Sequence, residues 1–153
     1  MASVHQSTVS AKAFPLESSD AGSILRARVS WQRIVVMIAA WVEIIVGVSF
    51  ILALETQSNF VFGAPAEGAG AGFARFSGVA LIALGIALMP SNRAGALYIA
   101  TRGLLIFNIL ATIFFASVAV ATTFRGVLLW PVVILHAILA IALAVSLRSK
   151  TSA

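Results

Sequence analysis

Four long apolar runs, separated by polar or glycine-rich stretches, set the pattern of the chain. Residues 34–54 are apolar apart from a few polar positions and one charge, Glu43. Residues 72–89 form a second run, with Arg75 near its start and Pro90 closing it. The third run is 99–121, entered at Arg102, and the fourth is 127–147, with Pro131 in its first turn, where a missing N–H is tolerated. A helix of about 20 mostly apolar residues, rising about 1.5 Å per residue, crosses the hydrocarbon of a bilayer. Backbone polar groups in lipid must be satisfied within such a segment, so these runs form helices. The pattern predicts an all-α membrane protein, an antiparallel four-helix transmembrane bundle over residues 34–147. A polar cytoplasmic tail, 1–33, precedes it and a short cytoplasmic tail, 148–153, follows. Within the first tail, a short interfacial helix is expected around Ala21 to Trp31.

Composition agrees with lipid as the solvent. Hydrophobic residues make up 61% of the chain and charged ones 10%, against roughly 45–50% and about 25% in soluble domains. A soluble domain of this size has too much surface for its volume to hide that much apolar area. The formal net charge of +5 does not point to nucleic acid, because the basic residues are scattered singly and form no stripe for phosphates. The absence of Cys excludes disulfides, thiolate metal sites and CxxC relays. Residues 1–32 lack the apolar core of a secretory signal, and Arg is too sparse there for an organellar transit peptide.

Charge also orients the spans. Arg26, Arg28 and Arg33 precede the first, Arg93 and Arg102 lie after the second, and Arg148 and Lys150 follow the fourth. The opposite side has Glu55, Glu67, Arg75 and Arg125. The positive-inside rule then places both termini in the cytoplasm, with the protein integral to the cell (inner) membrane. Trp31, Tyr98 and Trp130 stand at span ends, where amphipathic rings favour the headgroup layer. Residues 63–72 read as a flexible outer loop containing no P-loop or dinucleotide fingerprint.

Polar groups inside apolar spans are candidates for function because hydrocarbon makes them costly. Here they are Glu43, Arg75, Asn108 and His136. From the cytoplasmic ends of their spans they lie about 14, 22, 10 and 16 Å deep, respectively. Glu43 and His136 are expected to share one buried layer with Asn108, with Arg75 reaching towards it along its long stem. Ala39, Glu43 and Gly47 recur at i, i+4, i+8; Arg75, Gly78, Ile82 and Gly85 form a similar ridge; so do His136, Ala140 and Ala144. Small residues beside polar ones mark helix contact.

The four differ in the readings they admit. Glu43 is either a proton carrier or ligand-anchoring acid, or a carboxyl that pairs with Arg75 or His136 to fix packing. His136 is a proton relay, a metal or haem ligand, or a packed hydrogen-bonded imidazole. The other histidine, His5, lies in the tail, so two-imidazole haem ligation within the chain is excluded, and partners at metal-ligand spacing are missing. Asn108 is interhelical glue on the simplest reading. Arg75 either contacts an anion or headgroup, or snorkels to the outer interface. Ser77 and Ser117 have no nearby histidine in sequence to activate them. Serines within spans usually bond their own helix.

The stretches FARFSGVALIALGIALM, RGLLIFNILATIFFASVAV and LLWPVVILHAILAIALA, with a short basic connection between the first two, resemble the DoxX-like family of small four-helix membrane proteins. The likeness rests on Arg75, Gly78 and Gly85, on Arg102 and Asn108, and on Trp130 and His136, and spans roughly residues 34–147. It implies a membrane subunit near quinone-linked oxidoreductases or redox-stress complexes, and it does not explain the long N-terminal tail.

Three function classes compete. An accessory or assembly subunit, with other membrane subunits and the lipid bilayer as its partners, needs only packing faces and an anchor, and ranks first. A quinone- or lipid-binding component of an oxidoreductase system needs an apolar cleft with a few convergent polar groups, and ranks second. A transporter needs a broken helix at midplane or an inverted repeat, and neither is visible. Catalytic residues, metal and a resident cofactor are not expected, quinone being the one candidate ligand that the resemblance brings.

Overall fold

The computed structural model describes residues 17–148 except 92 and 94, with backbone alone for 17–25 and 28. Helix α1 runs unbroken from Glu17 to Leu52. No Gly or Pro occurs between Ser23 and Val46, so nothing in the sequence interrupts it. Its 36 residues reach about 54 Å, well past the ~30 Å of hydrocarbon. Only Val29–Leu52 is apolar enough to cross a membrane. The short helix expected around Ala21 to Trp31 is therefore part of α1 rather than a separate element. Gln32 and Arg33, assigned to the tail by their polarity, belong to the same helix, and Gln32 is buried.

A bend at Ala53 leads into α2, Leu54–Phe62, an element that hydropathy does not reveal. It is amphipathic: Leu54, Ser58 and Val61 are buried at i, i+4, i+7, and Glu55 and Asn59 face outward. Helix α3 is Gly68–Ala87, α4 is Ala96–Ala121 and α5 is Leu129–Arg148. Each of these three is long and apolar enough to cross a membrane, which with Val29–Leu52 makes four candidate spans. No strand occurs among the described residues.

Helices α4 and α5 pack along their length, and α1 lies across both. The main core joins Val35, Val36, Ala39 and Ala40 of α1 with Ala100 and Leu104 of α4 and Leu139 and Leu143 of α5. A smaller cluster of Val61, Ala119 and Leu129 closes the α2 end. Helix α3 lies along α1 and does not closely approach α4 or α5. Only Gly78 and Gly85 of α3 are fully buried.

The α1–α3 contact is backbone against backbone. A Cβ on Gly47 would lie 2.5 Å from the Gly78 carbonyl oxygen, and one on Gly85 would lie 2.6 Å from that of Ala40. Such distances leave no room for a side chain, so the glycines set how closely the helices approach. The contacts pair rising numbers on α1 with falling numbers on α3.

The outside of the molecule is apolar along the middle of every long helix. Ile45, Ile86, Ile113, Val120 and Ile141 are each more than 60% exposed. Soluble monomers rarely expose contiguous apolar area beyond a few hundred Å². At one end, Gln32 Nε2 donates to Thr101 Oγ1 (2.8 Å) and Arg33 Nη2 to the Ser91 carbonyl (3.5 Å), gathering the starts of the first and third spans. Arg102 sits there over the Tyr98 ring, 5.6 Å from its centroid. At the other end, Arg125 Nη1 donates to the carbonyls of Thr122 (2.8 Å) and Phe124 (2.7 Å), bonding carbonyls that follow α4. Amides of Arg125 and Leu128 donate to Phe62 and Phe60 carbonyls, fastening α2 to the α4–α5 connection.

Candidate functional site

The buried residues of α5 fall on one stripe: Leu129, Val133, His136, Leu139, Leu143 and Ser146. Those of α4 include Thr101, Leu104, Asn108 and Ala111. Helical periodicity thus carries Asn108 and His136 to the α4–α5 seam, with 0% and 6% of their surface exposed. There His136 Nδ1 and Asn108 Oδ1 lie 2.9 Å apart. Asn108 Nδ2 donates to the Leu104 carbonyl at 2.8 Å, so the oxygen of the amide is the atom facing the ring. An amide oxygen only accepts, so Nδ1 carries the hydrogen, and in the neutral ring Nε2 keeps its lone pair. Thr112 Oγ1 donates to the Asn108 carbonyl (2.7 Å), which adds a further bond at this level.

Two phenylalanines of α4 confine the imidazole. Phe115 stacks on it with centroids 5.8 Å apart and planes at 9°, and Phe107 meets it edge-on at 6.1 Å and 73°. Phe115 is seven residues beyond Asn108 and so shares its face of α4.

Glu43 is 1% exposed and its Oε1 has no hydrogen-bond partner. Its level follows from the core. Ala39 and Ala40 pack with Leu104 and Leu139. Glu43 lies one turn beyond Ala39, Asn108 one turn beyond Leu104, and His136 one turn before Leu139. The three therefore begin the next layer of the bundle. Glu43 also lies between Ala40 and Gly47, which face α3, and Val36 and Ala39, which face α4 and α5. It occupies the seam between those two contacts. The expectation of a carboxyl paired with Arg75 or His136 is not met, since Glu43 makes no ion pair among the described residues.

Arg75 stands apart from this layer. Its side chain is exposed on α3, and α3 is kept from α4 and α5 by α1. The reach expected from sequence fails because α3 packs along α1, touches α2 only slightly and does not approach α4 or α5, so Arg75 is left on an outward flank.

A second buried polar pair, Gln32–Thr101, was not anticipated. Its signal is the spacing of Gln32, Val36, Ala39 and Glu43 at i, i+4, i+7, i+11, a single helical stripe that the polarity of Gln32 obscures. Thr101 also returns a bond to its own helix, at the Leu97 carbonyl (2.6 Å).

The arrangement joins α4 to α5 through one side-chain bond and leaves two atoms for other chemistry, Nε2 of His136 and Oε1 of Glu43. No group of three or more His, Asp or Glu side chains gathers among the described residues as a metal would require. Four long apolar helices around buried polar layers, with an apolar exterior, define a helical integral membrane protein. Comparisons with family models, with curated proteins and with solved structures return no match.

Proposed function

We propose that the protein is an up-down-up-down bundle of antiparallel spans, both termini cytoplasmic in a cell (inner) membrane, serving as a non-catalytic accessory or assembly subunit of a larger membrane complex. The Asn108–His136 bond carries this reading. The deepest polar groups of α4 and α5 bond each other through Nδ1 and Oδ1, and Phe107 and Phe115 pack on the ring. Their chemistry thereby goes into fixing the helices, as interhelical polar groups commonly do. What remains for partners is the apolar exterior, above all the flank of α3 turned away from α1. The resemblance of residues 34–147 to the DoxX-like family, which rests on their sequence pattern, favours the same role.

Glu43 favours a second reading, a quinone- or lipid-binding component of an oxidoreductase system. A buried carboxyl oxygen without a partner is costly in an apolar seam, and a bound polar group would satisfy it. Purification in mild detergent followed by mass spectrometry separates the two. The subunit reading expects stable larger membrane partners that survive Glu43→Gln. A protein that runs alone with a co-purified quinone, lost on Glu43→Gln or His136→Ala, establishes the second reading and removes the first.

A further inference from the structure

The α2 end of the molecule contains an apolar recess that the buried polar layer does not use. Its volume is about 250 Å³, and Phe50, Leu54, Phe62, Gly70, Ala74 and Phe124 line it. These residues come from the last turns of α1, from α2, from the first turns of α3 and from the connection that follows α4, so the recess sits where spans meet the interface. Ser58 is the polar side chain in its wall, and its hydroxyl already donates to the Ala64 carbonyl. The wall is braced: the Phe62 ring lies 5.8 Å from Phe124 and 6.3 Å from Phe115. Pockets for drug-sized ligands run to roughly 300–1,000 Å³. A smaller, apolar recess at this depth fits a length of hydrocarbon chain.

A charge stands beside it. Arg75 follows Ala74 in α3, is exposed, and makes no hydrogen bond or ion pair among the described residues, with Glu55 and Glu67 included. Helical side chains lean towards the helix N-terminus, which for α3 is the recess end. The preceding residues, Ala71 and Gly72, are too small to obstruct it. This lean directs its guanidinium towards the α2 end of the molecule, the end at which the recess lies.

We propose that the recess is a phospholipid site, taking part of one acyl chain while Arg75 at its edge holds the phosphate of an anionic headgroup. This rests on the membrane reading but not on the subunit reading, since the site lies at the α2 end and needs no protein partner. A basic residue near the surface contributes about fivefold to binding of an anionic lipid.

The test is native mass spectrometry of the full-length protein in mild detergent, titrated with phosphatidylglycerol or phosphatidylcholine bearing identical chains. The expected result is preferential retention of phosphatidylglycerol, by about fivefold. Arg75→Gln brings the two lipids to parity and Arg75→Lys keeps the preference. A Cβ at Gly70 meets nothing within 4 Å, so Gly70→Phe is accommodated by the backbone and fills the recess, reducing retention of both lipids. Circular dichroism confirms that the variant is folded, and Ala66→Phe, at another residue of the recess wall, replaces it if it is not. Equal retention of the two lipids by the wild type, an intact preference in Arg75→Gln, or undiminished binding by a folded recess-filling variant each overturns the proposal.

Discussion

His136 and Asn108 hold α5 to α4 through a single bond, Nδ1 to Oδ1 at 2.9 Å, and the second hydrogen bond of Asn108, to Leu104, dictates which amide atom faces the ring. The bond therefore selects the imidazole tautomer as well as joining the helices. Asn108→Leu removes the acceptor and leaves a buried N–H unsatisfied, at a cost of about 1–3 kcal/mol. The Asn108→Leu/His136→Leu double variant loses less than the sum of the singles, with a coupling of about 0.6–1.7 kcal/mol. Unfolding in mixed micelles measures both. Strict additivity would mean that the two side chains do not interact in the folded protein.

Glu43 makes the opposite case, a buried polar atom without a partner. A buried polar group left unsatisfied costs about 1–3 kcal/mol, a penalty that an apolar side chain of similar volume does not carry. Glu43→Leu is accordingly expected to unfold at equal or higher denaturant than the wild type. A loss of more than about 1 kcal/mol would reveal a partner for the carboxyl.

Gly126 lies against α2 so closely that a Cβ would sit 2.2 Å from the carbonyl carbon of Val61. The neighbouring amides of Arg125 and Leu128 bond Phe62 and Phe60, so the loop cannot move aside without losing them. Gly126→Ala should destabilise by at least the ~1–3 kcal/mol typical of overpacking. Gly72→Ala is the contrast: its Cβ meets nothing within 4 Å, and Ala gains about 0.8–1.0 kcal/mol over Gly in a helix interior. Thermal unfolding of the two variants should shift in opposite directions.

Topology is open to direct measurement. A reporter fused after Ala153 is expected to read cytoplasmic, and one inserted within Ala64 to Gly70 external, because basic residues favour the cytoplasmic side. A cytoplasmic signal from the Ala64–Gly70 insertion would reverse the orientation.

The sequence by itself determined the four apolar helices and the burial of three of the polar residues within them, Glu43, Asn108 and His136. Both follow from one-dimensional rules: about 20 apolar residues cross a bilayer, and a polar residue in such a run turns towards other helices. Glu43, Asn108 and His136 obey those rules, and the glycines at 47, 78 and 85 were legible as contact points for the same reason. Only the tertiary structure decided which groups meet. A periodicity names the face of a helix but not the helix across from it, so the choice between Glu43 and Asn108 as partner of His136 depended on how α1 settles over α4 and α5. The same placement sends α3 to the far side of α1 and leaves Arg75 exposed, where a closed four-helix ring would have drawn it inward. Helix α2 and the seat of Gly126 were out of reach for a further reason: a nine-residue helix is marginal alone, and it forms here where backbone bonds from the α4–α5 connection hold its end.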